Sequence, residues 1–181
     1  MIRTERLVLR PWRDADLDAM AAMHRDVEVM ADAGGVQDGT QAEARITRYQ
    51  AAIDRLGYGR WAVEDHAGAW LGYVGVMPIA PDHPLAPGDE AGWRLVRSAW
   101  GQGYASEGAR AAIAHALDTI GLAEVVAYTA PDNHRSQAVM CRLGLERRPD
   151  RDFTFRGFRG LVWCARRGSW RAPATIAGAP R

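Results

Sequence analysis

The sequence predicts a single mixed α/β domain with a central sheet. Segments with strand and helix patterns follow one another in the order strand, two helices, three strands, helix, strand, helix and one or two closing strands. The chain has 181 residues, of which 48% are hydrophobic and 25% are charged, as expected for one globular domain. No internal repeat or low-complexity linker divides it.

The first strand and the first helix are predicted near the N-terminus. In ERLVLRPW, Leu7 and Leu9 recur with a period of two, which favours a half-buried strand that ends at Pro11. Asp14 or Asp16 is expected to cap the following helix. The residues that share one face of that helix are Leu17, Met20, Ala21 and His24.

A second helix is predicted from Thr40 to Leu56, after a loop with the sequence MADAGGVQDG. Its expected inward residues are Ala44, Tyr49, Ile53 and Leu56. The segments GRWAVED and AWLGYVGVMPI flank the turn HAG, and their aromatic and β-branched residues predict a hairpin.

The second half of the chain begins with the predicted strand EAGWRLV, a glycine-rich turn and a helix that Gly121 ends in a left-handed conformation. The inward residues of this helix recur at helical spacing; they are Ala109, Ala112, Ile113, Ala116, Leu117 and Ile120. A short strand, AEVVAYTA, precedes a loop and a helix that ends at Gly144. The strand GLVWCARR closes the domain.

Charge and cysteine content exclude several classes of protein. The formal net charge is only +1, and all 23 basic residues are arginine, so no global field favours nucleic acid or an anionic membrane. Cys141 and Cys164 are too few for a disulfide framework, and we expect Cys141 in the core. The histidines lack ligand spacing, so no metal site is expected. Without a leader or a membrane-length apolar run, we expect a soluble cytoplasmic protein.

The stretch SAWGQGYASEG joins a predicted strand to a helix through two glycines. Glycines let successive backbone N–H groups point into one concavity, and the helix N-terminus adds partial positive charge, so the stretch predicts a pyrophosphate site. A Walker A loop is excluded because the chain has no lysine. The dinucleotide fingerprint fits poorly, because Ser106 stands at its sixth position.

The segment WGQGYA resembles the pyrophosphate loop of the GNAT superfamily of acyl-CoA-dependent N-acyltransferases, in which arginine or glutamine precedes two spacers, glycine, a spacer and glycine or alanine. Trp100 replaces the usual first residue. The segments TERLVLRPW, GWRLVRSAWGQGYASEGARAAIAHAL, PDNHRSQAVMCRLGLE and VWCARRGSW resemble the branch of ribosomal-protein N-terminal alanine acetyltransferases. The resemblance runs from Thr4 to Trp170.

This resemblance implies one GNAT-like domain over residues 1–171, with residues 172–181 as a flexible tail. The implied fold is a mostly antiparallel mixed sheet of about six to seven strands, flanked by about four helices. A bulge between strands four and five parts them, and the acyl-pantetheine arm occupies the gap.

The resemblance also implies a set of coenzyme-binding residues. Backbone groups of Leu95, Val96 and Arg97 would bind the pantetheine amides as an added strand would. The pyrophosphate would lie on the loop formed by Gly101, Gln102, Gly103, Tyr104 and Ala105. Asn133 and Ser136 would lie near the pantetheine and the thioester sulfur.

Acetyl transfer to an amine requires a base, a polarised thioester carbonyl and an acid for the leaving thiolate. Glu90 is the expected base, directly or through water, and Ser136 the expected acid. A backbone N–H near Val96 would polarise the carbonyl. The alternatives are that Glu90 is only a solvated carboxylate, that Ser136 only caps its helix and that Asn133 only shapes a turn.

The expected acceptor is a primary amine, either a protein N-terminus or a small molecule. By family analogy it enters beside acidic residues of the loop between the first helices, Asp26, Glu28, Asp32 and Asp38. Basic residues of the loop before the last strand lie opposite; they are Arg147, Arg148, Arg151, Arg156 and Arg159. Both runs are alternatively solvated faces.

Two functions therefore remain open. The first is an acetyl-CoA-dependent N-acetyltransferase that works by direct attack in a ternary complex. The second is a module that binds acyl-CoA without turnover, as a sensor or assembly partner. Neither nucleic acid nor a membrane is an expected partner, and a homodimer is possible.

Overall fold

The computed structural model describes residues 1–171 and Pro173, and within them the chain forms nine strands and four α-helices, besides short 3₁₀ turns and a π-helical turn over His115–Thr119. The strands are β1 (Ile2–Arg3), β2 (Leu7–Arg10), β3 (Arg60–Asp65), β4 (Trp70–Pro78), β5 (Asp89–Leu95), β6 (Glu124–Thr129), β7 (Glu146–Arg147), β8 (Phe153–Phe155) and β9 (Phe158–Arg166). The helices are α1 (Asp16–Arg25), α2 (Gly39–Leu56), α3 (Tyr104–Ala114) and α4 (His134–Arg142).

The strands form one sheet in the order β1-β2-β3-β4-β5-β6-β9-β7, and β8 pairs with β9 outside this path. All neighbouring pairs are antiparallel except β5 and β6. The mixed, mostly antiparallel sheet is therefore confirmed. It has more strands than expected because β1, β7 and β8 are only two or three residues long.

The parallel strands β5 and β6 meet at a single register position, Glu90 opposite Val126. Beyond it β5 continues to Leu95 and β6 to Thr129 without further pairing between them in the described structure. The two strands diverge from this point, and a gap opens in the middle of the sheet.

Alternate residues of β5 turn their backbone N–H and C=O groups toward the gap, and the residues between them turn these groups toward β4. The N–H of Val96 donates to the carbonyl oxygen of Leu71 at 3.0 Å, so this position bonds to the β4 side of the ladder. Because hydrogen-bonded and non-hydrogen-bonded pairs alternate in an antiparallel ladder, Arg94 also bonds to β4. Trp93 and Leu95 therefore turn their N–H and C=O groups toward the gap.

Helices cover both faces of the sheet. On one face, the ring of Tyr73 lies 5.4 Å from that of Tyr49 in α2 and 6.3 Å from that of His24 in α1. On the other face, α3 packs against β4, and a Cβ at Gly108 would lie 3.4 Å from the Val74 side chain, within van der Waals contact. Tyr73 and Val74 are both buried, so the core lies on both sides of β4.

The start of α1 differs from the prediction. The N-cap position belongs to Ala15, which makes no side-chain capping bond, and Asp16 is the first helical residue. The carboxylate of Asp16 instead accepts two hydrogen bonds from the guanidinium of Arg10, at 2.7 and 2.8 Å. Arg10 lies in a fully buried β2 rather than a half-buried one, and a buried guanidinium requires a paired carboxylate.

The helix α2 begins one residue earlier than predicted, because Asp38 and Gln41 form a reciprocal capping box around its first turn. Ala42 is the buried alanine of this helix, whereas Ala44 is exposed. The predicted left-handed glycine after α3 is present, with φ of +87° at Gly121.

The C-terminal part contains more regular structure than predicted. The segment expected as a loop holds β7, β8 and the first residues of β9, and β8 and β9 join through a two-residue turn at Arg156 and Gly157. Cys164 is buried but Cys141 is exposed, so the expectation of a core position for Cys141 is wrong. Apart from Pro173, the expected tail over residues 172–181 lies outside the described residues.

None of the helices in the described chain combines the length and apolar character that a membrane crossing needs. In the same residues, no three His, Cys, Asp or Glu side chains form a group that could hold a metal ion.

Candidate functional site

Two cavities adjoin the gap between β5 and β6. The larger, about 1280 Å³, is lined by the glycine turn, α3 and α4, and we call it the glycine-loop crevice. The smaller, about 420 Å³, is lined by β5, β6 and the β8–β9 hairpin, and we call it the aromatic cavity. The residues that line both are Asp32, Trp93, Arg94 and Ser136. The gap therefore connects two separate spaces.

The glycine turn presents the N-terminus of α3 to the crevice. Gly101 and Gly103 have φ of +73° and +80°, a region in which other residues are strained, and Gly103 occupies the N-cap position. The unpaired N–H groups of the first helical turn and the positive end of the helix dipole lie at this wall. The arrangement suits a phosphate group.

The N-terminal segment fixes the position of this turn. Glu107 accepts hydrogen bonds from the Thr4 hydroxyl at 2.6 Å and from the backbone N–H of Arg6 at 2.8 Å. Burial alone would raise the pKa of the Glu107 carboxyl, but these bonds and the Arg6 guanidinium lower it. Arg6 also donates to the carbonyl of Gln102 at 2.9 Å. Glu107 thus anchors the glycine turn and the start of α3 to the segment between β1 and β2.

Five arginines line the glycine-loop crevice: Arg6, Arg94, Arg110, Arg135 and Arg142. The guanidinium of Arg135 lies 4.1 Å from the centre of the Trp100 ring, within cation–π distance. Trp100 itself donates its indole N–H to the carbonyl of Leu95 at 2.9 Å. The tryptophan that departs from the family motif therefore holds an arginine at the mouth of the loop.

Most of the predicted coenzyme-binding residues line this crevice. They are Leu95, Gly101, Gln102, Gly103, Tyr104, Ala105, Asn133 and Ser136. Val96 and Arg97 do not line it. The N–H of Val96 is bonded to Leu71, and Arg97 lies in a 3₁₀ turn with its side chain paired to Glu28. The N–H near Val96 that faces the gap is therefore that of Leu95.

Asn133, rather than Ser136, caps α4. Its side-chain oxygen accepts from the N–H of Ser136 at 3.1 Å, and its amide donates to Asp32 at 2.6 Å. Asp32 also pairs with Arg94 at 2.8 Å. Because Asn133 provides the cap, the hydroxyl of Ser136 is not required for it, and Ser136 is one of the residues that line both cavities.

Glu90 lies in the wall of the aromatic cavity at the point where β5 and β6 part. One oxygen lies 3.3 Å from a guanidinium nitrogen of the buried Arg60, and the other accepts a hydrogen bond from Tyr128, also at 3.3 Å. The Glu90 side chain is 25% exposed, so the carboxylate is held but reachable.

The sequence places Tyr128 in a short strand but gives no signal that it belongs to the site. Burial, and then the negative charge of Glu90, raises the pKa of its phenol well above the usual value. Tyr128 therefore remains a hydrogen-bond donor. Its ring stacks on His83 at 5.1 Å, and burial lowers the pKa of His83.

Most of the charged residues predicted to receive the acceptor form ion pairs or caps with other residues of the chain. Asp38 caps α2, Asp32 pairs with Arg94, and Glu28 with Arg97. The basic residues with carboxylate partners are Arg147 with Asp152, Arg148 with Asp150, Arg151 with Glu124 and Arg156 with Asp82. Because these residues are neutralised by partners within the chain, they do not form the two opposed patches of unpaired charge that the sequence suggested.

A family model described as the acetyltransferase (GNAT) domain matches residues 6–146 of this chain. Among curated relatives, the FsC-acetyl coenzyme A-N(2)-transacetylase of Aspergillus fumigatus is 32% identical over 151 residues. This match covers 80% of the present chain but 64% of that relative, so the chain spans somewhat less than two thirds of its length.

Solved structures share the fold. An acetyltransferase from Agrobacterium tumefaciens is 30% identical, with a TM-score of 0.78 and coverage of 91% of this chain and 92% of that chain. RimL, a ribosomal L7/L12 alpha-N-protein acetyltransferase solved in complex with coenzyme A, has a TM-score of 0.71 at 16% identity. That match covers 90% of this chain and 95% of RimL, and at this identity it speaks for the fold alone.

Proposed function

This chain belongs to the GNAT acetyltransferase family, and we propose that it transfers the acetyl group of acetyl-CoA to a primary amine by direct attack in a ternary complex. The observation that carries the proposal is the pair of cavities that meet at the parting of β5 and β6. Such an arrangement lets a donor and an acceptor enter from opposite sides and meet in the gap.

The glycine-loop crevice has the chemistry that the phosphates of acetyl-CoA require. Gly101 and Gly103 bring backbone N–H groups close to a bound anion, and α3 adds its positive end. Arginine guanidinium groups along the wall supply charge-assisted hydrogen bonds to phosphate oxygens. These features support residues 101–105 as the pyrophosphate site.

The gap can accept the pantetheine arm as an added strand. Trp93 and Leu95 direct backbone groups into it, and an amide-containing chain can pair with such unpaired strand edges. The carbonyl of Leu95 is already bonded to Trp100. The N–H of Leu95 is therefore the group that we assign to polarising the thioester carbonyl.

Glu90 is the proposed base, acting directly or through water. An α-amine has a pKa of about 8, so an appreciable fraction is neutral near pH 7, whereas a lysine amine near about 10.4 needs more assistance. A modest base held by Arg60 and Tyr128 suits the first kind of amine. Glu90 would take the proton that the nitrogen loses on bond formation.

Ser136 is the proposed acid. Ser136 lines both the glycine-loop crevice and the aromatic cavity, where the sulfur of the donor is expected. Proton donation from this hydroxyl would neutralise the leaving thiolate as the carbon–sulfur bond breaks. The name of a similar protein, an N(2)-transacetylase, supports a nitrogen acceptor.

The decisive experiment measures release of free CoA thiol from acetyl-CoA in the presence of a panel of primary amines. We expect amine-dependent thiol release and a product heavier by one acetyl group in mass spectra. Calorimetry with CoA on the same preparation supplies the second readout. Tight CoA binding without amine-dependent thiol release would instead support the non-catalytic acyl-CoA sensor.

A further inference from the structure

The chain contains three phenylalanines, and all three line the aromatic cavity. They are Phe153 and Phe155 of β8 and Phe158 of β9, and the rings of Phe153 and Phe158 lie 6.1 Å apart. His83 and Tyr128 complete the wall, since the ring of Phe153 meets them edge-on at 4.7 and 5.2 Å. One wall of the cavity is thus made of aromatic rings that contact one another.

The hairpin holds these rings in fixed positions. Phe155 and Phe158 face each other across the turn, where Arg156 and Gly157 have φ of +51° and +79°. Phe153 lies opposite Gly160, and a Cβ at Gly160 would lie 2.4 Å from the Phe153 ring. The glycine therefore leaves the space that this ring occupies.

The charges around the cavity nearly cancel. Its charged lining residues are two carboxylates and two guanidinium groups, Asp32, Glu90, Arg94 and Arg156. Asp32 is paired with Arg94 at 2.8 Å, and Arg156 with Asp82 at 2.7 Å. Glu90 is held at a longer distance, 3.3 Å from both Arg60 and Tyr128, so it is the lining carboxylate toward which one ammonium group can turn. A polycation would find the other lining carboxylate, Asp32, already bound closely by Arg94 at 2.8 Å and by Asn133 at 2.6 Å.

We propose that the aromatic cavity selects acceptors with one primary amine and a flat hydrophobic body, that is, arylalkylamines. The inference rests on the proposed acetyl transfer and specifies its acceptor. Glu90 binds the ammonium end, and the phenylalanine rings bind the aryl group through offset and edge-to-face contacts. A volume of about 420 Å³ lies at the small end of the range for ligand cavities, which favours a small molecule over a peptide segment.

The test compares four acceptors at saturating acetyl-CoA: 2-phenylethylamine, hexylamine, spermidine and a tripeptide with N-terminal alanine. We expect kcat/KM for 2-phenylethylamine to exceed that for each of the others by about tenfold or more, the size of effect that aromatic pairing supports. Equal values for hexylamine, or higher values for spermidine or the tripeptide, would overturn the inference while acetyl transfer itself stands.

Variants assign the preference to the rings. Phe155→Leu and Phe158→Leu keep hydrophobic volume but remove the ring, and both positions are partly exposed, so folding should tolerate them. We expect each to reduce the ratio of kcat/KM between 2-phenylethylamine and hexylamine severalfold, with KM for acetyl-CoA unchanged. Thr154→Ala, at an exposed position of β8 outside the cavity lining, is the matched control. An unchanged ratio in both ring variants contradicts the assignment.

Calorimetry of 2-phenylethylamine and hexylamine with the protein–CoA complex separates this inference from the proposed function. Tighter binding of the aryl amine, lost in Phe158→Leu, supports the inference even if no amine is turned over. Absence of turnover would then count against the proposed acetyl transfer alone. Equal affinity for the two amines would overturn the inference whatever the turnover.

Discussion

Tyr128 donates a hydrogen bond to Oε2 of Glu90 across the one point at which β5 and β6 are paired. The raised pKa of Tyr128 keeps the phenol protonated over the whole range in which the protein would work. Glu90 therefore has a permanent donor on one oxygen and the guanidinium of Arg60 near the other, at 3.3 Å. The carboxylate is oriented by both halves of the sheet.

Replacement of Glu90 tests the proposed base. We expect Glu90→Gln to lower kcat by about 10²-fold or more, because the amide cannot accept the proton, and to leave KM for acetyl-CoA nearly unchanged. The dependence of kcat on pH should also change. Tyr128→Phe, which removes only the orienting bond, should have a smaller effect. Unchanged turnover and pH dependence in Glu90→Gln would remove this residue from the mechanism.

A β-branched side chain at the glycine turn should weaken coenzyme binding. Gly103→Val places a residue at φ of +80° at the N-terminus of α3, so the loop must rearrange or store about 1–3 kcal/mol of strain. We expect KM for acetyl-CoA to rise tenfold or more in steady-state kinetics. Gly68→Val is the control. Gly68 also has a positive φ, +86°, but a Cβ there would meet no atom within 4 Å, and the residue lies in the β3–β4 turn outside the crevice lining. If both variants alter KM equally, the effect is only strain.

Removal of Arg135 tests whether the guanidinium held on Trp100 contacts the phosphates. We expect Arg135→Ala to raise the Kd for CoA about tenfold or more, as loss of a charge-assisted hydrogen bond predicts, and to reduce the salt dependence of binding. Arg3→Ala, at an exposed arginine of β1 that does not line the crevice, is the control. Equal Kd values for Arg135→Ala and the native protein would exclude the contact.

His24 should make stability depend on pH. The side chain is fully buried, neither ring nitrogen has a hydrogen-bond partner among the described residues, and burial lowers its pKa from 6.5 to about 4. Between about pH 6.5 and pH 4, His24 is therefore protonated in the unfolded chain and neutral in the folded protein. The stability that neutral His24 contributes is complete above about pH 6.5 and falls by up to about 3 kcal/mol as the pH approaches 4.

Urea unfolding at several pH values measures this effect. His24→Leu should remove much of the slope of unfolding free energy between pH 6.5 and 4, whereas His66→Leu, at an exposed position, should retain it. The lowered pKa of Asp16 adds a loss of stability at lower pH, below its usual value of 3.8, so the two effects occupy different ranges. Parallel pH dependence in His24→Leu and the native protein would contradict the assignment.

Elements with local signals could be predicted from sequence. The helix after the glycine turn shows helical periodicity over several turns, and Gly101, Gly103 and Gly121 adopt the positive φ that their contexts indicate. The glycine turn also lines a cavity suited to an anion, as the motif predicted. These features depend on backbone conformation within a few residues, which is the part of a structure that composition determines most directly.

Features that depend on distant partners could not be predicted. Asp16 pairs with Arg10 because Arg10 is buried. The N–H of Val96 points away from the gap because it is one of the alternate β5 groups that bond to β4. The β8–β9 hairpin was missed because its turn is Arg156–Gly157 rather than the usual Asn-Gly or Asp-Gly. The alternation of Phe153, Thr154 and Phe155 was the available signal.

The alternating orientation of β5 should make this strand exchange its amide protons unevenly. The N–H groups of Arg94 and Val96 are bonded to β4, whereas those of Trp93 and Leu95 open onto the gap. In deuterated water the second pair should label early and the first pair late, a two-residue rhythm within one strand. A bound pantetheine arm would slow the early pair, so mass or NMR spectra would record the donor as a temporary tenth strand.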